Sequence, residues 1–249
     1  MSNSSIKRLR IFAGPNGSGK TTIVKKFPKK IPLGIFVNAD ELEKRLNDIG
    51  YINLKQYGIN AKTAEIRGFI KLSGLSYKKL GSKTTPARFS IYNNQLKVNI
   101  KKISSYIAAD IAEFIRRKLM ANGKSFSFET VLSHESKLQL LNDAKQLGYR
   151  IYLYYVATES PEININRVKI RVAKKGHAVD EARIKERYYR SLDLLLDTVK
   201  ISNRAYLFDN SGKYYELVAE IADGKKVEML TSDKNIPQWF LKYVYQKIK

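Results

Sequence analysis

With 249 residues and 43% hydrophobic content, the chain can bury an enzyme-sized core in one large α/β domain. Its 46 lysines and arginines against 23 aspartates and glutamates give a formal charge of +23, which says nothing of fold but favours anionic partners such as nucleotides, nucleic acid, acidic proteins or anionic lipid. The lack of cysteine excludes disulfides, thiolate–metal sites and cysteine nucleophiles, and two histidines, His134 and His177, argue against a multi-histidine zinc centre.

In chain order, residues 9–13 form a short apolar run that ends at glycines 14–19, and residues 21–24 open a helical stretch: strand, loop, helix. A second apolar run, 34–38, precedes a helix marked by Asp40, Glu41, Leu42 and Leu46. Residues 83–99 alternate around Asn93-Asn94, the signature of a β-hairpin inserted before the third core strand. An amphipathic helix follows over about 103–120, stopping at Asn122-Gly123. Residues 126–128, 149–157 and 205–208 supply further strands, with a helix at 138–146 between the first two. The stretch 214–229 offers one or two more strands, and 237–247 a terminal amphipathic helix carrying Trp239 and Phe240. Strands separated by helices predict a P-loop NTPase-type α/β fold, a mostly parallel sheet flanked by helices. We expect a single domain over 1–249, with an insertion at about 72–102 and a helical lid at about 160–192.

No apolar run approaches the roughly 18 residues of a membrane span, and no apolar signal core follows the basic start, so a cytoplasmic protein is expected. The charge is uneven. Residues 1–37 and 66–109 hold no carboxylate at all, and the second block carries Arg67, Lys71, Lys78, Lys79, Lys83, Arg88, Lys97, Lys101 and Lys102. Solvated lysines of a basic protein explain such blocks as well as an anionic partner does.

The most specific signal is Gly14-Pro15-Asn16-Gly17-Ser18-Gly19-Lys20-Thr21, which satisfies G-x-x-x-x-G-K-[ST] between a predicted strand and a predicted helix. The glycines let backbone N–H groups turn inward around phosphates, Lys20 adds charge toward the β- and γ-phosphates, and Thr21 is the expected Mg2+ ligand, with Thr22 completing the cradle. An Asn-Lys-x-Asp guanine-reading motif is absent from the sequence, which favours ATP and a small P-loop kinase over a GTPase.

Asp40, just past the second core strand, stands where a catalytic base would meet the γ-phosphate and the acceptor hydroxyl. Asp40 followed by Glu43 also fits a helix N-cap, and the sequence leaves both readings open. Glu129 and Thr130 leave the third strand toward the same crevice and suit water-mediated magnesium or acceptor contacts, while Ser133 is either part of that site or the cap of the next helix. Ser160-Pro161-Glu162 starts a helix. Arg167 and Arg171 then lie four apart on one face, and a second helix from about Asp180 aligns Arg183, Arg187 and Arg190. Joined by Lys175-Gly176-His177, the pair reads as a lid whose cations stabilise a transferring phosphoryl group, or as solvated basic faces.

Taken together, GPNGSGKTT at 14–22, Asn38-Ala39-Asp40, the run from Ser127 to Ser133, Asn166-Arg167-Val168 with Arg171-Val172 and Gly176-His177, Arg187-Tyr188, Ser191-Leu192 and Asp209-Asn210-Ser211 resemble the zeta toxin family of P-loop kinases. The likeness runs from Arg8 to about Ser211. It implies a toxin that uses ATP and Mg2+ to phosphorylate the 3′-hydroxyl of the amino sugar in UDP-N-acetylglucosamine and is neutralised by an antitoxin. By the same resemblance Lys20 is the phosphate lysine, Thr21 binds magnesium, Asp40 is the base, Glu129 and Thr130 approach the acceptor, and lid arginines come from Arg167, Arg171 and Arg187. Asp209 and Asn210 would lie toward the nucleotide base or its loop. The family usually has Gly-Gly-His where this chain has Lys175-Gly176-His177, and the hairpin is an addition. Two rivals remain: a kinase for nucleic-acid ends or nucleosides, suggested by the charge, and a non-catalytic nucleotide-dependent interaction module.

Overall fold

The computed structural model describes residues 6–174 and 179–248, and the chain forms two compact units, Met1–Leu33 with Ser127–Lys249, and Gly34–Phe126. In the first unit β1 (Arg8–Ala13) leads through the glycine loop into α1 (Lys20–Lys26). The second unit holds β2 (Ile35–Val37), α2 (Ala39–Ile49), β3 (Ile52–Asn53), α3 (Thr63–Ser73), α4 (Leu75–Leu80), β4 (Phe89–Tyr92), β5 (Gln95–Val98) and α5 (Ser105–Ala121). The chain then returns to the first unit through β6 (Phe126–Thr130), α6 (Ser136–Gln146), β7 (Arg150–Ala157), α7 (Pro161–Ala173), α8 (Glu181–Asp193), α9 (Leu195–Ile201), β8 (Arg204–Asp209), β9 (Glu216–Ala222), β10 (Lys226–Met229) and α10 (Gln238–Tyr243).

The sheet of the first unit runs β10-β9-β8-β7-β1-β6. β1 and β7 pair in parallel from Arg8↔Arg150 to Ala13↔Tyr155, and β7 pairs in parallel with β8, as expected for strands joined by helical crossovers. β9 and β10 close the far edge as an antiparallel meander. The central strands are apolar on both faces: Leu9, Ile11, Phe12, Leu153 and Tyr155 are all buried, the pattern of a strand covered on both sides. Phe12, Tyr154 and Tyr206 stack across three strands at centroid spacings of 5.0 and 5.1 Å. The parallel register brings the carboxyl ends of β1, β7 and β8 to one edge, which is where ligands bind in such sheets.

In the second unit the expected hairpin is present. β4 and β5 pair from Phe89↔Val98 to Tyr92↔Gln95, and Asn93 and Asn94 both take positive φ (48° and 59°), the geometry a two-residue turn needs. Its sheet has a third strand, β3, in the order β3-β5-β4, and Leu54 N–H bonds the Asn94 carbonyl. The hairpin packs with helices the sequence reading did not assign. Ile66 and Ile70 of α3 are fully buried, as are Phe89 and Leu96, and buried Asp110 on α5 accepts the N–H groups of Leu75 and Ser76 at 2.8 and 2.7 Å, capping α4.

Candidate functional site

The phosphate loop carries its own geometry. Ser18 N–H closes a turn on Pro15 O, and Thr22 N–H returns to Gly19 O at 3.0 Å to start α1. Gly19 is the N-cap residue at φ 102°, and no side chain caps the helix, so the first N–H groups of α1 point to the loop. Lys20 folds back so that its Nζ donates to the carbonyls of Gly14 and Pro15 at 2.7 and 2.8 Å. Ser18 is fully buried, and its Oγ has no hydrogen-bond partner. An uncapped helix start, a folded ammonium and an unsatisfied hydroxyl make this loop rich in donors, which suits a polyphosphate.

Thr21 Oγ1 donates to Glu129 Oε2 at 3.0 Å, so the end of β6 meets the first turn of α1. A hydroxyl and a carboxylate at this spacing suit a hard, oxygen-seeking cation such as Mg2+. Among the described residues no cluster of three or more histidines, aspartates or glutamates forms a complete metal site. These two oxygens would therefore hold magnesium together with phosphate oxygens and water.

Two further segments of the first unit reach the loop. Asn210, after β8, donates from Nδ2 to Ser18 O at 2.7 Å, and a Cβ on Gly19 would lie 2.4 Å from that amide nitrogen. Asn210 N–H bonds Ala157 O at the end of β7. The Asp209 carboxylate works within this segment: it accepts Ser211 N–H and Oγ at 2.8 and 2.9 Å and Trp239 Nε1 at 2.8 Å. The other segment is the start of α7. A Cβ on Gly17, whose φ is +80°, would come within 2.5 Å of Asn164 O, so glycine is required there both for its backbone and for the approach of the helix.

The expected lid is anchored at its root. Asn164 accepts Thr158 Oγ1 at 2.7 Å, and Tyr188 of α8 donates to Thr158 O; burial raises the Tyr188 phenol well above its ordinary value. Lys169 and Glu181 pair at 2.8 Å between α7 and α8. Arg167 donates to Asn210 O at 2.6 Å and Gly212 O at 3.2 Å, so this member of the arginine face holds the loop after β8. Arg171 is exposed near the end of α7, Arg187 is half-buried on α8, and Lys175-Gly176-His177 lie outside the described residues.

Neither of the two caps that the sequence left open is realised. α2 begins with Asn38 as its cap, and Asn38 Oδ1 accepts the N–H groups of Asp40 and Glu41 at 2.9 and 3.4 Å. Asn38 has the extended backbone of a cap residue, so Asp40 is exposed in the first turn with no capping duty. Ser133 does not cap α6 either: the helix starts after Glu135, and Ser136 N–H bonds His134 Nδ1 at 3.1 Å. Thr130 Oγ1 accepts Leu132 N–H at 3.1 Å, shaping a turn in which Leu132 takes φ 57°. The structure thus brings together residues 14–22, Glu129, Asn164, Arg167, Asp209 and Asn210 in the first unit, while Asp40 belongs to the second.

Sheet order, glycine loop and the lysine folded into it define a P-loop α/β fold. Residues 85–214, just over half of the chain, match the family model described as Zeta toxin, and the chain belongs to that family. The matched span begins after the phosphate loop and takes in β6, both helices of the expected lid and the segment after β8. Among solved structures, the AvrRxo1-ORF1:-ORF2 complex with ATP resembles the chain with a TM-score of 0.54 and 14% identity over 100% of this chain and 66% of that one. The AvrRxo1-ORF1:AvrRxo1-ORF2 complex with sulphate ions gives 0.53 and 14%, with the same coverage. At this identity the likeness is one of fold. An uncharacterized protein of Haemophilus influenzae (strain ATCC 51907 / DSM 11121 / KW20 / Rd) is 38% identical over 63 residues, 25% of this chain and 45% of that protein. The chain therefore spans less than two thirds of these neighbours and under half of the relative. No described helix is long and apolar enough to cross a membrane.

Proposed function

We propose that the chain is an ATP-dependent phosphotransferase acting on a hydroxyl of a nucleotide sugar such as UDP-N-acetylglucosamine, and that it works in the cytoplasm as the toxin of a toxin–antitoxin pair. The observation that carries the reading is the phosphate loop, with Lys20 Nζ folded onto Gly14 and Pro15 carbonyls and Thr21 joined to Glu129. Family membership supports it, as does the fold shared with a protein crystallised with ATP in a two-protein complex.

In this reading the loop amides and Lys20 grip the β- and γ-phosphates, where Mg2+ held by Thr21 and Glu129 would supply neutralising charge. Thr21 and Glu129 orient that end of the triphosphate. Asp40, relieved of capping by Asn38, takes the proton from the acceptor hydroxyl. The hydroxyl oxygen bonds to the γ-phosphorus, the bond to the β–γ bridging oxygen breaks, and ADP leaves. Lid cations, Arg171 and Arg187 among them, offset the charge spread over the phosphoryl oxygens. Glu129, Thr130 and Ser133 lie on the acceptor side.

The test is mass spectrometry of a metabolite extract incubated with protein, ATP and magnesium. The expected product is a UDP-N-acetylamino sugar heavier by one phosphoryl group, absent with Lys20→Ala and strongly reduced with Asp40→Ala. The charge of +23 favours one second reading, transfer to a nucleic-acid end. Label transfer to an oligonucleotide, with binding that weakens steeply as salt rises, would select it instead.

A further inference from the structure

Arg167 stands on the face expected to supply transition-state charge, yet its guanidinium donates to backbone carbonyls. Two of its nitrogens donate to Asn210 O at 2.6 Å and Gly212 O at 3.2 Å, a planar two-nitrogen fork whose geometry the single nitrogen of an ammonium does not reproduce. Asn210 in turn is fixed at three atoms: its carbonyl by Arg167, its N–H by Ala157 O at 2.8 Å, and its side-chain amide by Ser18 O at 2.7 Å. Ser18 is fully buried, and Gly19 leaves no room beside the amide for even a methyl group. The carbonyl of Ser18 thus points at Asn210, and this sets the plane of the Ser18–Gly19 peptide. The Gly19 N–H in that peptide faces the other way, where a phosphate would lie.

We infer that Arg167 and Asn210 are a positioning pair for the phosphate loop: Arg167 holds Asn210, Asn210 holds the Ser18 carbonyl, and the loop amides are thereby aimed before nucleotide arrives. Arg167 acts through Asn210 and not on the transferring phosphoryl group. The same chain of bonds ties the position of α7 to the shape of the loop, since Asn164, one turn earlier, already abuts Gly17. The inference deepens the nucleotide-site reading and rests on it for its affinity and kinetic readouts.

The test measures ATP affinity by calorimetry, KM for ATP and kcat, and hydrogen exchange of amides 17–22 without nucleotide. The variants are Asn210→Ala, Arg167→Gln, Arg167→Lys and the double Arg167→Gln/Asn210→Ala. Each of the first two should weaken ATP binding about tenfold, raise KM more than it lowers kcat, and speed exchange at Ser18 and Gly19. The double variant should bind no more weakly than Asn210→Ala alone, because the two act in series. Arg167→Lys should recover part of the affinity through one charge-assisted bond, and it supplies the comparison if Arg167→Gln fails to fold. Unchanged ATP affinity and exchange in Arg167→Gln with a fall in kcat alone would overturn the proposal, as would additive losses in the double variant. If the unsubstituted protein binds no ATP, the nucleotide reading fails by itself, and the exchange measurement still decides whether the pair shapes the loop.

Discussion

Gly17 carries two constraints at once, a φ of +80° and the carbonyl of Asn164 only 2.5 Å from where a Cβ would stand. Gly17→Ala therefore costs about 1–2 kcal/mol for the backbone alone and pushes α7 away from the loop. ATP affinity should fall at least tenfold, which calorimetry would measure, while Gly50→Ala, at a left-handed position with open space around it, should lower the melting temperature without changing ATP affinity. The loop at residues 14–21 was legible as a glycine turn between strand and helix, because positive φ and close neighbours at Gly14, Gly17 and Gly19 leave glycine few substitutes. Arg167 was legible only as a member of a helix face. Periodicity shows which side chains share a face but not which carbonyls they meet, and its partners lie 43 and 45 residues further along the chain. Asn38 was hidden for a smaller reason: two polar residues before one helix both fit a cap, and only the extended backbone at Asn38 decides between them.

Among the elements, the Asn93-Asn94 hairpin was read directly, since alternating apolar residues around an Asn-Asn pair have few other structures available. Asn94→Gly should leave stability within about 1 kcal/mol or raise it, and Asn94→Val should lower it by about 1–2 kcal/mol, because a β-branched residue resists φ 59°. Urea unfolding of both variants checks this. β3 went unread because a strand of two residues has no period, and it exists through its pairing with β5, Ile52↔Leu96 and Asn53↔Gln95. α4 escaped for a related reason. Its six residues depend on a cap from another helix, the Asp110 carboxylate on α5, and no local pattern announces a partner 34 or 35 positions away. Asp110→Ala should strip two N–H groups of their acceptor, one of them in fully buried Ser76, and cost about 2–3 kcal/mol. Faster hydrogen exchange confined to Leu75–Leu80 would show the loss at its source.

Over the whole molecule, tyrosines set the alkaline limit of stability. Burial pushes Tyr149 and Tyr154 up to about 12 from the ordinary 10.0, and Tyr155 and Tyr188 are raised further. Below pH 10 folded and unfolded chains both hold these protons, so stability is level with respect to them. Between about pH 10 and 12 the unfolded chain releases protons that the folded one keeps, so rising pH draws the equilibrium toward unfolding. Urea midpoints should fall through that window, with absorbance at 295 nm rising together with loss of structure. The bonds around the phosphate loop have a consequence of a different kind, for the order of events in synthesis. The loop is made early relative to its supports: its Ser18 carbonyl is held by a residue 192 positions later, and that segment is in turn held by Trp239. Contacts so distant in sequence form last. A ribosome that has made the motif has not yet made its supports, and the loop is held in place only once Asn210 and Trp239 have emerged.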